Sequence, residues 1–84
     1  MAFAAWISRN AVAGAVIPGS GGCRKVQWTR AGHGKRGGVR VNYFVRRQRG
    51  EVWLLYAYAK SARDTVPASV LRQWREELDD GEVD

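Results

Sequence analysis

Apolar positions along this chain change their period twice, from helical to alternating and back to helical. Phe3, Trp6 and Ile7 fall at i, i+3 and i+4 in an alanine-rich setting. That spacing predicts one face of a short helix ending near Ser8 or Arg9, inside a partial helical segment 1–16. From Ala15 to Gly22 regular structure should break, because Pro18 lacks an amide donor and the glycines favour turn dihedrals. Arg24 to Arg30 then alternates, with Val26 and Trp28 on one face and Lys25, Gln27 and Thr29 on the other, as a half-buried strand does. Val39 to Arg46 repeats the pattern after the glycine-rich turn Ala31 to Gly38. Val39, Val41, Tyr43 and Val45 point to the core, and Arg40, Asn42, Phe44 and Arg46 point outward. Gln48 to Glu51 reads as a hairpin turn into Val52–Tyr58, a run apolar on both faces and so expected to be a central strand. Pro67 suits a first helical turn, and Val66, Val70, Leu71, Trp74 and Leu78 continue a helical stripe over 66–79.

The expected fold class is α+β. One domain, 1–84, holds a small antiparallel sheet of about three strands over 24–60, flanked by an N-terminal and a C-terminal helix and closed by an acidic tail at 80–84. A chain of 84 residues buries only about 60 to 65% of its unfolded surface, which predicts one small core of marginal stability. Trp6, Trp28 and Trp74 fall on core-facing stripes. The lone Cys23 cannot close an intramolecular disulfide, and no Cys/His spacing suits zinc, so a reducing cytoplasm is the expected compartment and no metal is expected. The opening stretch to Ile17 has no basic residue ahead of its apolar run, and Arg9-Asn10 splits that run, which argues against a secretion signal. No run reaches the roughly 18 to 20 apolar residues that cross a bilayer.

Charge sharpens this picture. Between Arg24 and Arg49 stand nine Lys or Arg residues and no Asp or Glu, while six of the eight acids crowd into the last nine residues. A formal net charge of +6 makes nucleic acid, an anionic membrane surface or an acidic protein segment the natural partners. A membrane surface would call for cations along an amphipathic helix. These cations sit on strands and a turn, so nucleic acid leads.

Ile17-Pro18-Gly19-Ser20-Gly21-Gly22-Cys23-Arg24-Lys25-Val26, then Gly34-Lys35-Arg36-Gly37-Gly38-Val39-Arg40-Val41-Asn42-Tyr43, then Leu54 to Tyr58 with Ala59-Lys60, resemble in order and spacing the RelE/HigB-like toxins of bacterial type II toxin–antitoxin systems. The likeness spans nearly the whole chain. It implies a RelE-like curved sheet flanked by helices and a ribosome-dependent endoribonuclease, an mRNA interferase, that cuts messenger RNA by 2′-hydroxyl attack and arrests growth. A helix-turn-helix antitoxin is the implied silencing partner, with no small-molecule cofactor and no membrane. Members usually carry roughly twenty further residues, including a first helix, ahead of the position matching Met1, so the resemblance also implies a shortened N-terminus with apolar sheet surface left uncovered. The alternative is a catalytically weakened module that binds RNA or the ribosome, or an antitoxin-binding remnant of such a toxin.

Cleavage of this kind needs a base for the 2′-hydroxyl proton, a cation for the charge growing on the phosphorane oxygens, and an acid for the leaving 5′-oxygen. By resemblance, Arg40 and Lys60 match positions that contact the scissile phosphate. Arg24, Lys25 and Arg30 correspond loosely to neighbouring cationic positions. Lys35 and Arg36 in the turn, with Arg46 and Arg47, are candidate contacts to the RNA backbone. An arginine fork grips phosphate oxygens in pairs, whereas a lysine acts as a point charge or proton carrier. Set against these roles, a charge on a sheet face is ordinarily a solvated one. His33 is the one side chain with an ordinary pKa near neutrality, yet in its turn it reads as a bystander. The family's C-terminal Tyr or His has no counterpart after Lys60. Phe44 shares its face with Arg40 and Arg46 and is the aromatic placed to stack a base, while Tyr43, Tyr56 and Tyr58 read as core. Trp53 falls on neither pattern.

Overall fold

In the computed structural model, residues 3–28, 38–61 and 65–80 are described. The fold is α+β. Helix α1 (Phe3–Arg9) is followed by strands β1 (Ala15–Val16), β2 (Arg24–Trp28), β3 (Val39–Arg46) and β4 (Glu51–Ala59), then by helix α2 (Ala68–Asp80). Among the described residues the strands form one antiparallel sheet in the order β1-β2-β3-β4.

The extra strand, β1, lies inside the stretch expected to be irregular. Pro18 to Gly22 make a turn tight enough to fold Ala15 and Val16 back onto Lys25 and Arg24. Ser20 holds that turn from within. Its Oγ donates to the Ile17 carbonyl at 2.6 Å and accepts from the Cys23 amide at 3.0 Å. Gly21 is there of necessity: its φ is +77°, and a Cβ would stand 3.1 Å from Arg72 Cγ on α2.

Helix α1 has seven residues, too few to persist alone. Packing holds it in place. The Trp28 ring on β2 meets Phe3 edge-on at 5.3 Å and Trp6 at 5.3 Å, and Ile7 is buried. The chain leaving α1 is pinned by Tyr43, whose side chain has no exposure. The Tyr43 hydroxyl donates to the Ala11 carbonyl at 2.7 Å and accepts from the Gly14 amide at 2.9 Å. Gly14 must be a glycine for this latch, since a Cβ there would come within 2.7 Å of the hydroxyl and 2.6 Å of the Lys25 carbonyl oxygen.

Directly opposed residues in an antiparallel pair share a face. The register therefore puts Lys25, Gln27, Arg40, Asn42, Tyr56 and Tyr58 on one face, and Arg24, Val26, Trp28, Val41 and Tyr43 on the other. Helix α1 packs on the second face. Helix α2 packs on part of the first, with Trp74 6.2 Å from Tyr56, the Arg75 guanidinium 4.7 Å over Phe44, and the Leu71 carbonyl 3.9 Å from Cys23 Sγ. Asn42, expected to point outward, is consequently buried at 2% exposure, because α2 covers that end of the polar face.

Val52–Tyr58 forms part of β4, which is the edge of the described sheet and not a central strand. Its residues are apolar on both faces because the two helices flank it on opposite sides. Leu54 and Leu55 line a hollow of about 310 Å³ beside Trp74, Glu77 and Leu78, and a more apolar one of about 420 Å³ beside Phe3 and Trp28. Leu54 stays 51% exposed and Tyr56, expected in the core, 41%. The register shifts between Asn42, opposite Tyr56, and Tyr43, opposite Leu54, so Leu55 is an extra residue that bends this edge.

Candidate nucleic-acid interface

Arg40 lies on β3 with Gln27 of β2 directly opposite on one side and Tyr58 of β4 directly opposite on the other. Lys25 sits diagonally across β2, and together with Gln27, Ala15 and Arg40 it lines a cleft of about 160 Å³. Lys60 follows β4, and its amide still donates to the Gly38 carbonyl at 3.2 Å. One further step of alternation brings Lys60 to the Arg40 face. Diagonal neighbours in a sheet stand about 7 to 8 Å apart, so Arg40, Lys25 and Lys60 form a cationic triangle with Arg40 at its apex.

Arg40 is half-buried, and its Nε is shut off from solvent without a hydrogen-bond partner. A guanidinium that has already given up water on one side, while the cleft leaves its rim open, has the chemistry to take anionic oxygens. Tyr58 lies beside it in a ring pair with Tyr56 at 5.9 Å. Gln27 and Tyr58 are the neighbours that sequence reasoning passed over. Only the register of β3 against β2 and β4 brings them beside Arg40.

The remaining candidates divide. Arg24, one residue before Lys25, faces the opposite side of the sheet, where its Nη1 donates to the Gly14 carbonyl at 2.8 Å and the Val12 carbonyl at 3.4 Å; it ties down the chain between α1 and β1. Arg46 lies on the Arg40 face six residues along β3, its guanidinium 5.0 Å over the Trp53 ring. Arg47 is exposed in the 3-10 turn Arg47–Arg49. Arg30, His33, Lys35 and Arg36 lie outside the described residues. Phe44 has the Arg75 guanidinium over its ring and Trp53 6.0 Å away, so its ring is already engaged. Trp53, unassigned by the sequence pattern, donates through Nε1 to Glu51 at 3.1 Å.

Cys23 is fully buried, and desolvation raises its thiol pKa above the ordinary value, with the Ser20 hydrogen bond and the Arg75 charge working the other way. Among the described residues no three His, Cys, Asp or Glu side chains gather to hold a metal, and no helix is long and apolar enough to cross a membrane. No family model matches the chain.

Proposed function

We propose that this protein is the toxin of a type II toxin–antitoxin system, a ribosome-dependent endoribonuclease that cuts messenger RNA by attack of the 2′-hydroxyl on the adjacent phosphate. The observation that carries the reading is Arg40, half-buried with its Nε closed off from solvent, lining a cleft with Lys25 on an open sheet face, with Lys60 diagonally across the pairing with β4. In this reading Arg40 grips the scissile phosphate and stabilises the second negative charge that develops on the phosphorane. Lys60 and Lys25 hold the strand and add to the field. The Tyr58 phenol and the Lys60 ammonium are the groups beside Arg40 with a proton to pass to the leaving 5′-oxygen, and only the deprotonated form of either would take one from the 2′-hydroxyl. A cytoplasmic site of action and a helix-turn-helix antitoxin belong to the same reading.

A second reading, an RNA- or ribosome-binding module that does not cut, or an antitoxin-binding remnant of such a toxin, draws on one observation. The described neighbours of Arg40 supply cations, an amide and a phenol but no carboxylate or imidazole. One experiment separates the two. The chain is induced without antitoxin and the 5′ ends of cellular messenger RNA are mapped. New ends inside translated codons establish the enzyme; growth arrest or ribosome association without new ends establishes the binding module.

A further inference from the structure

Among the described residues, Ser20 and Asn42 are the polar side chains that the fold buries, and it treats them in opposite ways. Ser20 Oγ donates to the Ile17 carbonyl and accepts from the Cys23 amide. Asn42, at 2% exposure, keeps its Oδ1 closed off from solvent with no hydrogen-bond partner. A buried amide oxygen left without a donor costs stability, and folded proteins retain few of them. The complementary group stands two residues back on the same strand face. Arg40 Nε is a donor closed off from solvent and likewise without a partner. Register puts both residues on the face that carries Lys25, Gln27, Tyr56 and Tyr58. Their Cα atoms lie about 6.6 Å apart at roughly 3.3 Å per residue, a span that an arginine side chain covers by turning about its own torsions. Lys25, directly opposite Asn42 on β2, is exposed and keeps its ammonium in water, so it is the poorer donor to that oxygen.

We infer that Asn42 is a positioning residue for Arg40. When an anion meets the terminal nitrogens of the guanidinium, the group turns so that Nε donates to Asn42 Oδ1. Both unpartnered atoms are satisfied in one bond, and the plane of the guanidinium is fixed with Nη1 and Nη2 directed at two phosphate oxygens. An arginine held at its inner edge in this way loses less freedom as it grips, and it presents the phosphate to Lys25 in one orientation. Burial under α2 keeps Asn42 itself away from the substrate, so it acts through Arg40 alone. This role rests on the reading of Arg40 as the group that grips the phosphate; the two unpartnered atoms do not.

The test uses the full chain with inorganic phosphate as the probe. The Arg40 Nε–H is followed by NMR, its resonance identified by its loss in Arg40→Lys. Phosphate should slow the exchange of that proton with water about tenfold or more in the parent and leave it unchanged in Asn42→Leu. Asn42→Asp, which keeps the acceptor and adds a charge, should protect the proton before any phosphate is added. Asn42→Leu removes an unpartnered oxygen at nearly constant shape, so its melting temperature should equal or exceed that of the parent. A fall of more than about 5 °C would mean that Oδ1 is bonded in the free chain, and it overturns the inference. In single-turnover cleavage of messenger RNA on ribosomes, Asn42→Leu should slow the parent about tenfold and Arg40→Ala less than about twofold, because Asn42 works only through Arg40. Equal losses in both backgrounds, or equal protection of the Nε–H in parent and Asn42→Leu, also overturn it. If the Nε–H responds as expected while Arg40→Ala cuts like the parent, Asn42 positions Arg40 as an anion site and the reading of Arg40 in cleavage falls alone. If cleavage depends on Arg40 while Asn42→Leu changes neither exchange nor rate, the inference falls and that reading stands.

Discussion

Replacing Arg40 by alanine removes the one guanidinium at the apex of the cationic triangle. A unit charge developing about 5 Å from it is stabilised by roughly 3 kcal/mol at an effective dielectric near 20. That energy corresponds to a rate loss of about two orders of magnitude, inside the range measured for deleting a preorganised charge donor. Lys60 is exposed, so solvent screens it, and Lys60→Ala should cost about tenfold. The assay is single-turnover cleavage of a defined messenger RNA on ribosomes, with melting temperature as the control for folding. Arg40→Ala should weaken RNA binding far less than it slows cleavage, because the extra charge exists only in the transition state. The double variant Arg40→Ala/Lys60→Ala should lose less than the product of the single losses, since both residues act on one charge. A folded Arg40→Ala chain that cuts within threefold of the parent, or an Arg47→Gln chain that does not cut at all, would refute the placement of the site.

Three further outcomes follow from particular contacts. Tyr43→Phe keeps the ring but leaves the Gly14 amide and the Ala11 carbonyl without their partner, which should destabilise the fold by about 2 to 3 kcal/mol and lower the melting temperature by roughly 10 to 20 °C; a drop under 3 °C would show the latch to be idle. Cys23 has a folded-state pKa raised above its ordinary value of 9.0, so the folded chain keeps a proton that the unfolded chain releases; stability is full below pH 9 and falls as the pH rises past it, and thiol alkylation at pH 8 should be far slower in the folded chain than in denaturant. Equal alkylation rates would contradict the burial. Arg24→Gln should lower the melting temperature and leave RNA affinity unchanged, whereas Lys25→Gln should leave the melting temperature unchanged and reduce the salt slope by about 1; the reverse assignment would mean that the two faces have been exchanged.

The elements that the sequence disclosed are those whose period is carried by large side chains. Phe3, Trp6 and Ile7 mark α1, and Val70, Leu71 and Trp74 mark α2, because a helix this small survives only by burying such a stripe. Alternation likewise marks β2 and β3. The two-residue strand β1 carries no such signal; it exists because the Ser20 turn returns the chain onto β2, a tertiary consequence of Ile17 and Cys23 coming together. The place of β4 was misread for a related reason. Apolar residues on both faces imply cover on both sides, and a helix serves as well as a neighbouring sheet layer, so a two-sided pattern does not tell a central strand from an edge strand held between α1 and α2.

For the site, the acid-free run from Arg24 to Arg49 shows the sign of the surface charge but not the shape of the surface. The pleat divides that run. Arg24 goes to the α1 face and bonds to backbone carbonyls, while Lys25, one residue on, turns to the Arg40 cleft. Alternation alone makes that split legible. What alternation does not contain is register, and register decides that Arg40 is flanked by Gln27 and Tyr58 and not by residues two places away. Nor does it contain the docking of α2, which brings Arg75 over the outward-facing Phe44 ring. The same docking buries Asn42 two residues from Arg40 and leaves Arg40 itself at the edge of the covered area. A guanidinium at such an edge loses water on one side and keeps access on the other, and that position is not legible from the number of cations in the run.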